Sequence, residues 1–470
     1  MGQSAVVSLY EYQQVKQSEG IRAQLHQVID DWIDKVELGM KELKPTLEQI
    51  TEEVFKLRQE LTSAVTKVLI GSRYKGEQEQ QYFLCPSCGQ NLRERDNPGR
   101  SVETMVGTIE LKRPYFYCVK CRRGYYPLDE ALQLGDRRKQ PDLQEAVVKL
   151  TKEVPYETAC QLLEQLTGLK VSTETAHEMT EEVGKGLDVL DVSPSREEIM
   201  AKIEAAGADK SRRPILVLAI DGANLPTRPE SARGKRRGRK KVRAKRSKWR
   251  GEWKEAKGFR FYLVLEDRIE QLISWHQIQD KEEAYQALLK IKEAGLIPED
   301  KVRLCVLADG AHWIWNKAKL LFPSAKQILD YYHGSEYIHS LANAQYADRP
   351  ELALQWVEAT MARLFCGEVD AVIWGLQRMN HRDEKAANEI ADTITYLENN
   401  KHRINYNAAR KGGYPIGSGG IESANKFICH VRLKRSGAWW YIPNGNHMLA
   451  LRCAKYNGTL DRVCQRIRKK

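Results

Sequence analysis

Two features of the sequence predict a multidomain α/β protein. Two apolar runs, Ile215–Ile220 and Val302–Ala308, end alike in Asp-Gly-Ala, with a hairpin and a helix between them. Upstream lie two C-x2-C pairs, set between helical patterns. The expected architecture is a helical N-terminus (1–75), a four-cysteine zinc ribbon (80–130), a helix-turn-helix segment (140–195) and a mixed-sheet domain (213–470). The last would carry a basic insert at 228–257 and a helical insertion at about 335–415.

Composition is consistent with this. The chain has 470 residues, 42% hydrophobic and 29% charged. That is enough apolar content for two to four cores and excludes wholly disordered or fibrous classes. No run approaches the ~18 apolar residues of a membrane span. The first residues lack a basic stretch followed by an apolar one, so no secretory signal is expected and the protein is placed in the cytoplasm. The net charge is +12, yet Arg233–Arg250 alone holds 12 Lys or Arg and no acid. Without that run, 63 bases face 63 acids. So local an excess points to a polyanionic partner, nucleic acid above all, with a solvated loop that has no partner as the alternative; no membrane partner is expected. Arg236, Arg237, Lys240, Lys241, Arg243, Lys245 and Arg246 are its expected phosphate contacts.

Residues 5–70 show apolar positions at helical steps, with a break at Pro45. Such a hairpin either packs on the body or makes a dimer. In the next segment, Cys85-Pro-Ser-Cys88 and Cys118-Val-Lys-Cys121 are separated by 29 residues. Within these, Thr104–Tyr117 is rich in β-formers and reads as a strand leading into the second pair. Two tight turns, each presenting two thiolates, would make a closed tetrahedral zinc site with a structural role, favoured in a reducing compartment over redox pairs or disulfides. The other six cysteines read as small buried hydrophobes. Helices are then expected at Leu143–Thr151, Tyr156–Thr167 and Thr173–Leu187, with Gly168 ending the second and Ser172 capping the third. The short turn between the last two fits a helix-turn-helix.

From Pro214 the order is strand, hairpin (Phe259–Leu265 and Ile269–Trp275), helix (Glu282–Ala294), strand, helix (His312–Leu321), short strand (Gln327–Leu329), helical stretch, helix. This is the order of an RNase H-like fold, in which the first and fourth strands are neighbours. Asp221 and Asp309 would meet at one sheet edge, and Glu422, on a helix opened by Gly417-Ser-Gly-Gly, would join them. The glycines would allow a DNA backbone to approach closely. Three converging carboxylates need cations, and hard oxygens suit two Mg2+ or Mn2+ ions about 4 Å apart. Trp249 and Trp253 read more readily as core than as stacking platforms.

These residues carry a resemblance. Leu-Ala-Ile-Asp221-Gly-Ala, Ala-Asp309-Gly-Ala-His-Trp-Ile-Trp-Asn, Leu-Asp330-Tyr-Tyr-His333-Gly-Ser-Glu336, Gly417-Ser-Gly-Gly-Ile-Glu422-Ser and Arg432-Leu-Lys-Arg-Ser-Gly resemble bacterial insertion-sequence DDE transposases of the ISKra type. The likeness runs from about residue 80 to the C-terminus. It implies a catalytic triad of Asp221, Asp309 and Glu422, with Glu336 in reserve for the third place. Asp330 and His333 would support the site, as in the related C/D-x-x-H motif; a buried core histidine is the alternative for His333. Arg432 and Lys434, following Glu422, would grip the cleaved strand. The activity implied is cleavage at terminal inverted repeats and joining of the freed 3′-OH to target DNA, by at least a dimer. A non-catalytic DNA-binding descendant and an RNase H-like nuclease are the competing readings.

Overall fold

The computed structural model describes residues 9–208, 210–232 and 249–468. The chain is a mixed α/β protein with a helical N-terminus. It divides into two compact units, one running to Thr180 and including the segment from Cys464, the other spanning Glu181–Val463. The 140–195 segment is therefore shared between them. Among the described residues, no helix is long and apolar enough to cross a membrane.

In the first unit, helices Leu9–Gly39 and Leu47–Arg73 lie against each other. Thr46 starts the second with a capping box to Gln49, which explains the break near Pro45. Trp32 donates to the Leu57 carbonyl across the pair (3.1 Å). Three small hairpins follow: β1 (Tyr82–Leu84) with β2 (Asn91–Arg93), β3 (Gly99–Thr104) with β4 (Gly107–Lys112), and β5 (Phe116–Cys118) with β6 (Arg123–Tyr125). The strand expected over Thr104–Tyr117 is thus two strands. Pro114, which has no N–H to donate, sits in the gap. Helices Pro141–Thr151, Tyr156–Thr167 and Thr173–Gly184 come next. Gly168 ends the second at φ 75°, and the Ser172 hydroxyl accepts from Thr175 N–H (3.1 Å). Leu143, Val147, Leu163, Val171 and Met179 form their shared core.

The second unit is built on a five-stranded sheet in the order β11-β10-β7-β8-β9. Here β7 is Ile215–Thr227, β8 Glu252–Val264, β9 Ile269–Ile278, β10 Arg303–Ala308 and β11 Lys326–Leu329. Strands β7, β10 and β11 run parallel, and β8 and β9 add antiparallel. Residues 215–220 of β7 and 304–308 of β10 are buried throughout, as parallel strands covered on both faces must be. Helix Lys281–Glu293, capped by Asp280, connects β9 towards β10. Helices Tyr331–Gln345, Pro350–Cys366, Val369–Gln377 and Glu384–Asn400 form the stretch between β11 and the last helices.

One expectation is corrected. Asp221 does not end its strand; β7 continues to Thr227, because β8 stays paired with it from Gly258 out to Glu252. The parallel partner does stop. β10 ends at Ala308, opposite Ile220, so Asp221 is the first residue of β7 beyond that pairing.

Candidate functional site

The first cluster is made of sulfur. Cys85 follows β1 and Cys88 precedes β2; Cys118 ends β5 and Cys121 precedes β6. Each pair therefore occupies the turn of its own hairpin. The two turns match in backbone: Gly89 and Arg122, each just after the second cysteine, both take a left-handed φ (71° and 54°). All four sulfurs lie within 4.8 Å of one another. Cys85 and Cys121 are 3.9 Å apart, and Cys88 and Cys118 3.6 Å. A tetrahedron with zinc–sulfur bonds of about 2.3 Å has sulfur–sulfur edges of about 3.8 Å. All ten cysteines are free thiols. The Tyr125 hydroxyl holds Cys85 down to about 6, while hydrogen bonding to Cys88 pushes Cys121 up to about 12. Phe116, Leu92 and Tyr125 pack around the cluster. This group could hold a structural metal such as zinc.

The second cluster is made of oxygen. Because β7 and β10 are parallel and in register at Ile220 and Ala308, Asp221 and Asp309 are the next residues of adjacent chain segments, where that pairing stops. Asp309 is half-buried, and its carboxylate accepts the Ala311 N–H (2.9 Å) at the start of helix His312–Leu321. Gly310 is required beside it, since a Cβ there would run into the Tyr396 ring. The Asp221 carboxylate accepts Gly222 N–H (2.7 Å) through one oxygen and the Asn425 amide (2.8 Å) through the other. Burial pushes Asp221 up to about 6. The Gly222 N–H and the charge of His333 oppose that rise, and Asp309 and Glu422 add to it.

Glu422 lies on the short helix Gly419–Ala424 and is exposed. Its carboxylate accepts from the Ser418 hydroxyl. Buried Arg260 of β8 fixes this helix, donating to the Gly420 carbonyl and the Ser423 hydroxyl (3.0 Å to the latter). Gly420 answers a packing need rather than a ligand's, because a Cβ there would overlap Tyr262. A π-helical turn, Asn425–His430, follows directly and carries Asn425, buried, to Asp221. Such turns occur often at functional sites.

The structure places the remaining predicted residues as follows. Asp330 is fully buried and caps helix Tyr331–Gln345 by accepting His333 N–H (2.9 Å). Its own N–H donates to Ala308 at the end of β10 (2.8 Å). His333 is not a buried core histidine; its side chain is 42% exposed and its charge reaches Asp221. Glu336 pairs with His333 (3.5 Å), whereas Glu422 acts on Asp221 itself. Lys434 is exposed. Arg432 is not a surface residue. It is 3% exposed, its guanidinium stands over the Trp440 ring (5.1 Å), and it is thereby withdrawn from any strand it was expected to grip. Trp249 and Trp253 are not core; they are 38% and 56% exposed. Arg236, Arg237, Lys240, Lys241, Arg243, Lys245 and Arg246 lie outside the described residues.

Sequence reasoning missed Asn425 and Arg260. A polar residue one turn after Glu422, among Ala424, Ile428 and Cys429, was the available signal for the first. Nothing in the sequence separates Arg260 from the other 74 Lys and Arg residues.

A search of curated proteins finds no match to the chain. A family model matches residues 33–470, and the chain therefore belongs to the uncharacterised protein family UPF0236.

Proposed function

We propose that this chain is a DNA transposase of an insertion sequence, cutting element ends and joining them to target DNA through a DDE site on an RNase H-like core. The observation that supports this reading is that Asp221 and Asp309 directly follow the paired residues Ile220 and Ala308 of adjacent parallel strands, with the Glu422 carboxylate close enough to raise Asp221. Asp221 and Asp309 are both half-buried, yet among the described residues neither carboxylate forms an ion pair with Lys or Arg. Asp309 and Glu422 both raise Asp221, the mutual repulsion that a divalent cation relieves. The donor set is all hard oxygen and fits two Mg2+ or Mn2+ ions held by Asp221, Asp309 and Glu422. When bound, such ions supply Lewis-acid stabilisation of the attacking and leaving oxygens of an in-line phosphoryl transfer.

The chain's own residues divide the remaining work. Asn425 and the Gly222 N–H hold Asp221 in one orientation, and the Ala311 N–H does the same for Asp309. Ser418 orients Glu422. Asp330 anchors the helix bearing His333 to the end of β10, and His333 lends positive charge to Asp221. The zinc ribbon and the helix-turn-helix segment would read terminal inverted repeats in double-stranded DNA. The basic run would neutralise phosphates, and Lys434 would add one contact. Two element ends require two sites, so the working form is a homodimer or larger, acting in the cytoplasm.

The test is an in vitro reaction of purified protein, Mg2+ and a plasmid carrying the parent element's ends, beside Asp309→Ala. Joined products that the variant fails to make support the transposase. Cleavage without joining would turn the reading to an RNase H-like nuclease. End binding with neither, in Mg2+ or Mn2+, would turn it to a binding-only descendant.

A further inference from the structure

The outer part of the β7/β8 ribbon carries aromatic residues that the carboxylate edge does not use. Beyond Asp221 and Gly258 the strands remain paired to Thr227 and Glu252, with Trp253 opposite Pro226. The loop after helix Val431–Leu433 folds back onto this end. Trp440 N–H donates to the Pro226 carbonyl (3.1 Å), and Arg228 N–H donates to the Trp440 carbonyl (2.9 Å). Trp439 is thereby set edge-on to both Trp249 and Trp253, with ring centroids 5.7 and 6.3 Å away. Gly251 admits this approach, since a Cβ there would overlap the Trp439 ring. Lys434 Nζ stands 5.5 Å from the Trp253 ring centre.

An indole is among the largest apolar groups a fold can bury, and here Trp253 stays 56% and Trp249 38% exposed. Exposed indoles with a lysine beside them match one ligand chemistry well, a nucleobase on its phosphate backbone. Bases in a duplex have their faces stacked on one another, so the ligand must be unpaired. Position agrees with this. Pro226, opposite Trp253, lies five residues along β7 from Asp221. At about 3.3 Å per residue that is about 17 Å.

We propose that Trp249, Trp253 and Trp439 form a stacking platform for an unpaired DNA base about 17 Å from the phosphodiester held at Asp221 and Asp309, with Lys434 on the adjoining phosphate. The register to the scissile bond rests on the function proposed above; the stacking does not.

The test uses the full-length protein without divalent metal and three fluorescently labelled probes at one salt concentration: (dT)20, an abasic strand of the same length, and a 20-base-pair duplex. Trp253→Ala is expected to weaken (dT)20 binding roughly 5- to 100-fold, the usual worth of one aromatic stack. Trp253→Phe should restore most of it, and the abasic strand and duplex should bind as before. Trp253 is exposed, so the variant should fold, which a thermal melt verifies. Equal losses on (dT)20 and the abasic strand, or no loss on either, would overturn the platform. A Trp253→Ala protein that loses (dT)20 while the parent fails to join strands keeps the platform and removes the transposase. Strand joining by the parent with unaltered (dT)20 binding by the variant removes the platform alone.

Discussion

The cysteine cluster and the carboxylate edge are built on opposite principles. The four cysteines come as two local pairs, each on the turn of its own hairpin, and the sulfurs meet at tetrahedral spacing with aromatic residues packed around them. The three acids come from distant parts of the chain, β7, the end of β10 and a helix about a hundred residues later. Each is oriented separately, Asp221 by Asn425, Asp309 by Ala311 and Glu422 by Ser418, and each remains partly open to solvent. Four soft ligands saturate an ion and leave no place for substrate; three hard ones leave coordination positions free. Closure suits a structural centre and openness suits chemistry.

That contrast breaks first, and most severely, at the cysteines. Structural zinc contributes about 10–16 kcal/mol in small metal modules, so its loss should unfold the hairpins around it. Purified protein is expected to contain one zinc per chain by elemental analysis, and Cys88→Ser or Cys118→Ser to contain none. Chelation should expose Cys85, Cys88, Cys118 and Cys121 to a thiol reagent. If a strong chelator strips metal without altering proteolysis of residues 80–130, packing rather than metal holds the module, and the contrast fails.

At the oxygen site, function and stability should move in opposite directions. Asp221 sits at about 6, above its ordinary value of 3.8. The folded state therefore holds that proton more tightly than the unfolded state does. The resulting stabilisation is complete below about pH 4 and is lost as pH rises through about 6. Without divalent metal, Asp221→Asn should raise the melting temperature at pH 7.5 and leave it little altered at pH 4. The same variant should lower strand cleavage in Mg2+ by three orders of magnitude or more, several kcal/mol of transition-state stabilisation. A lowered melting temperature at pH 7.5 would mean that burial does not penalise the charged carboxylate.

Much of this was legible in the sequence, for identifiable reasons. The C-x2-C pairs act through covalent spacing, which the chain states outright. Asp221 and Asp309 follow long apolar runs that only a buried parallel strand explains. What was hidden depends on partners remote in sequence. The outer half of β7 is mostly paired with charged residues of β8 (Glu252, Lys254, Glu255, Lys257), whose pattern looks like a loop until the ribbon forms. Arg432 reads as a surface cation because its burial depends on Trp440 folding back beneath it. Trp249 and Trp253 read as core because aromatic residues usually are, yet the ribbon carries Trp253 outward and Trp249 lies just before it. Asn425 reaches Asp221 through a π-helical turn, which shifts the facing of residues in a way that a 3.6-residue period does not foretell.

Asn425 tests how far the orientation of each acid matters. Removing a residue that orients a metal-holding side chain typically costs 10- to 100-fold, far less than removing the side chain. Asn425→Ala should fall in that range for strand cleavage. Asn425→Asp should do more than Ala, because it sets a second negative charge beside Asp221. Its distinctive mark is a pH profile whose acid limb moves above that of the parent, since a like charge raises Asp221 further. A pure loss of folding would lower the rate without moving the limb.

The smallest effect sharpens the contrast from within the cysteine module. Gly89 and Arg122 occupy the same place in the two turns and both are left-handed, though only glycine takes that conformation without strain. An L-residue there costs about 1–2 kcal/mol, while glycine adds back about 0.4–1 kcal/mol of unfolded-chain entropy. Arg122→Gly is therefore expected to stabilise the zinc-loaded protein by up to about 1 kcal/mol, a rise of about 2–4 °C for a unit of this size. Gly89→Ala should move the melting temperature down by a similar amount. Paired shifts of opposite sign would mean that both turns are shaped by the need to aim two sulfurs, whatever side chain follows. A fall for Arg122→Gly would instead assign the Arg122 side chain a contact of its own that outweighs its backbone strain.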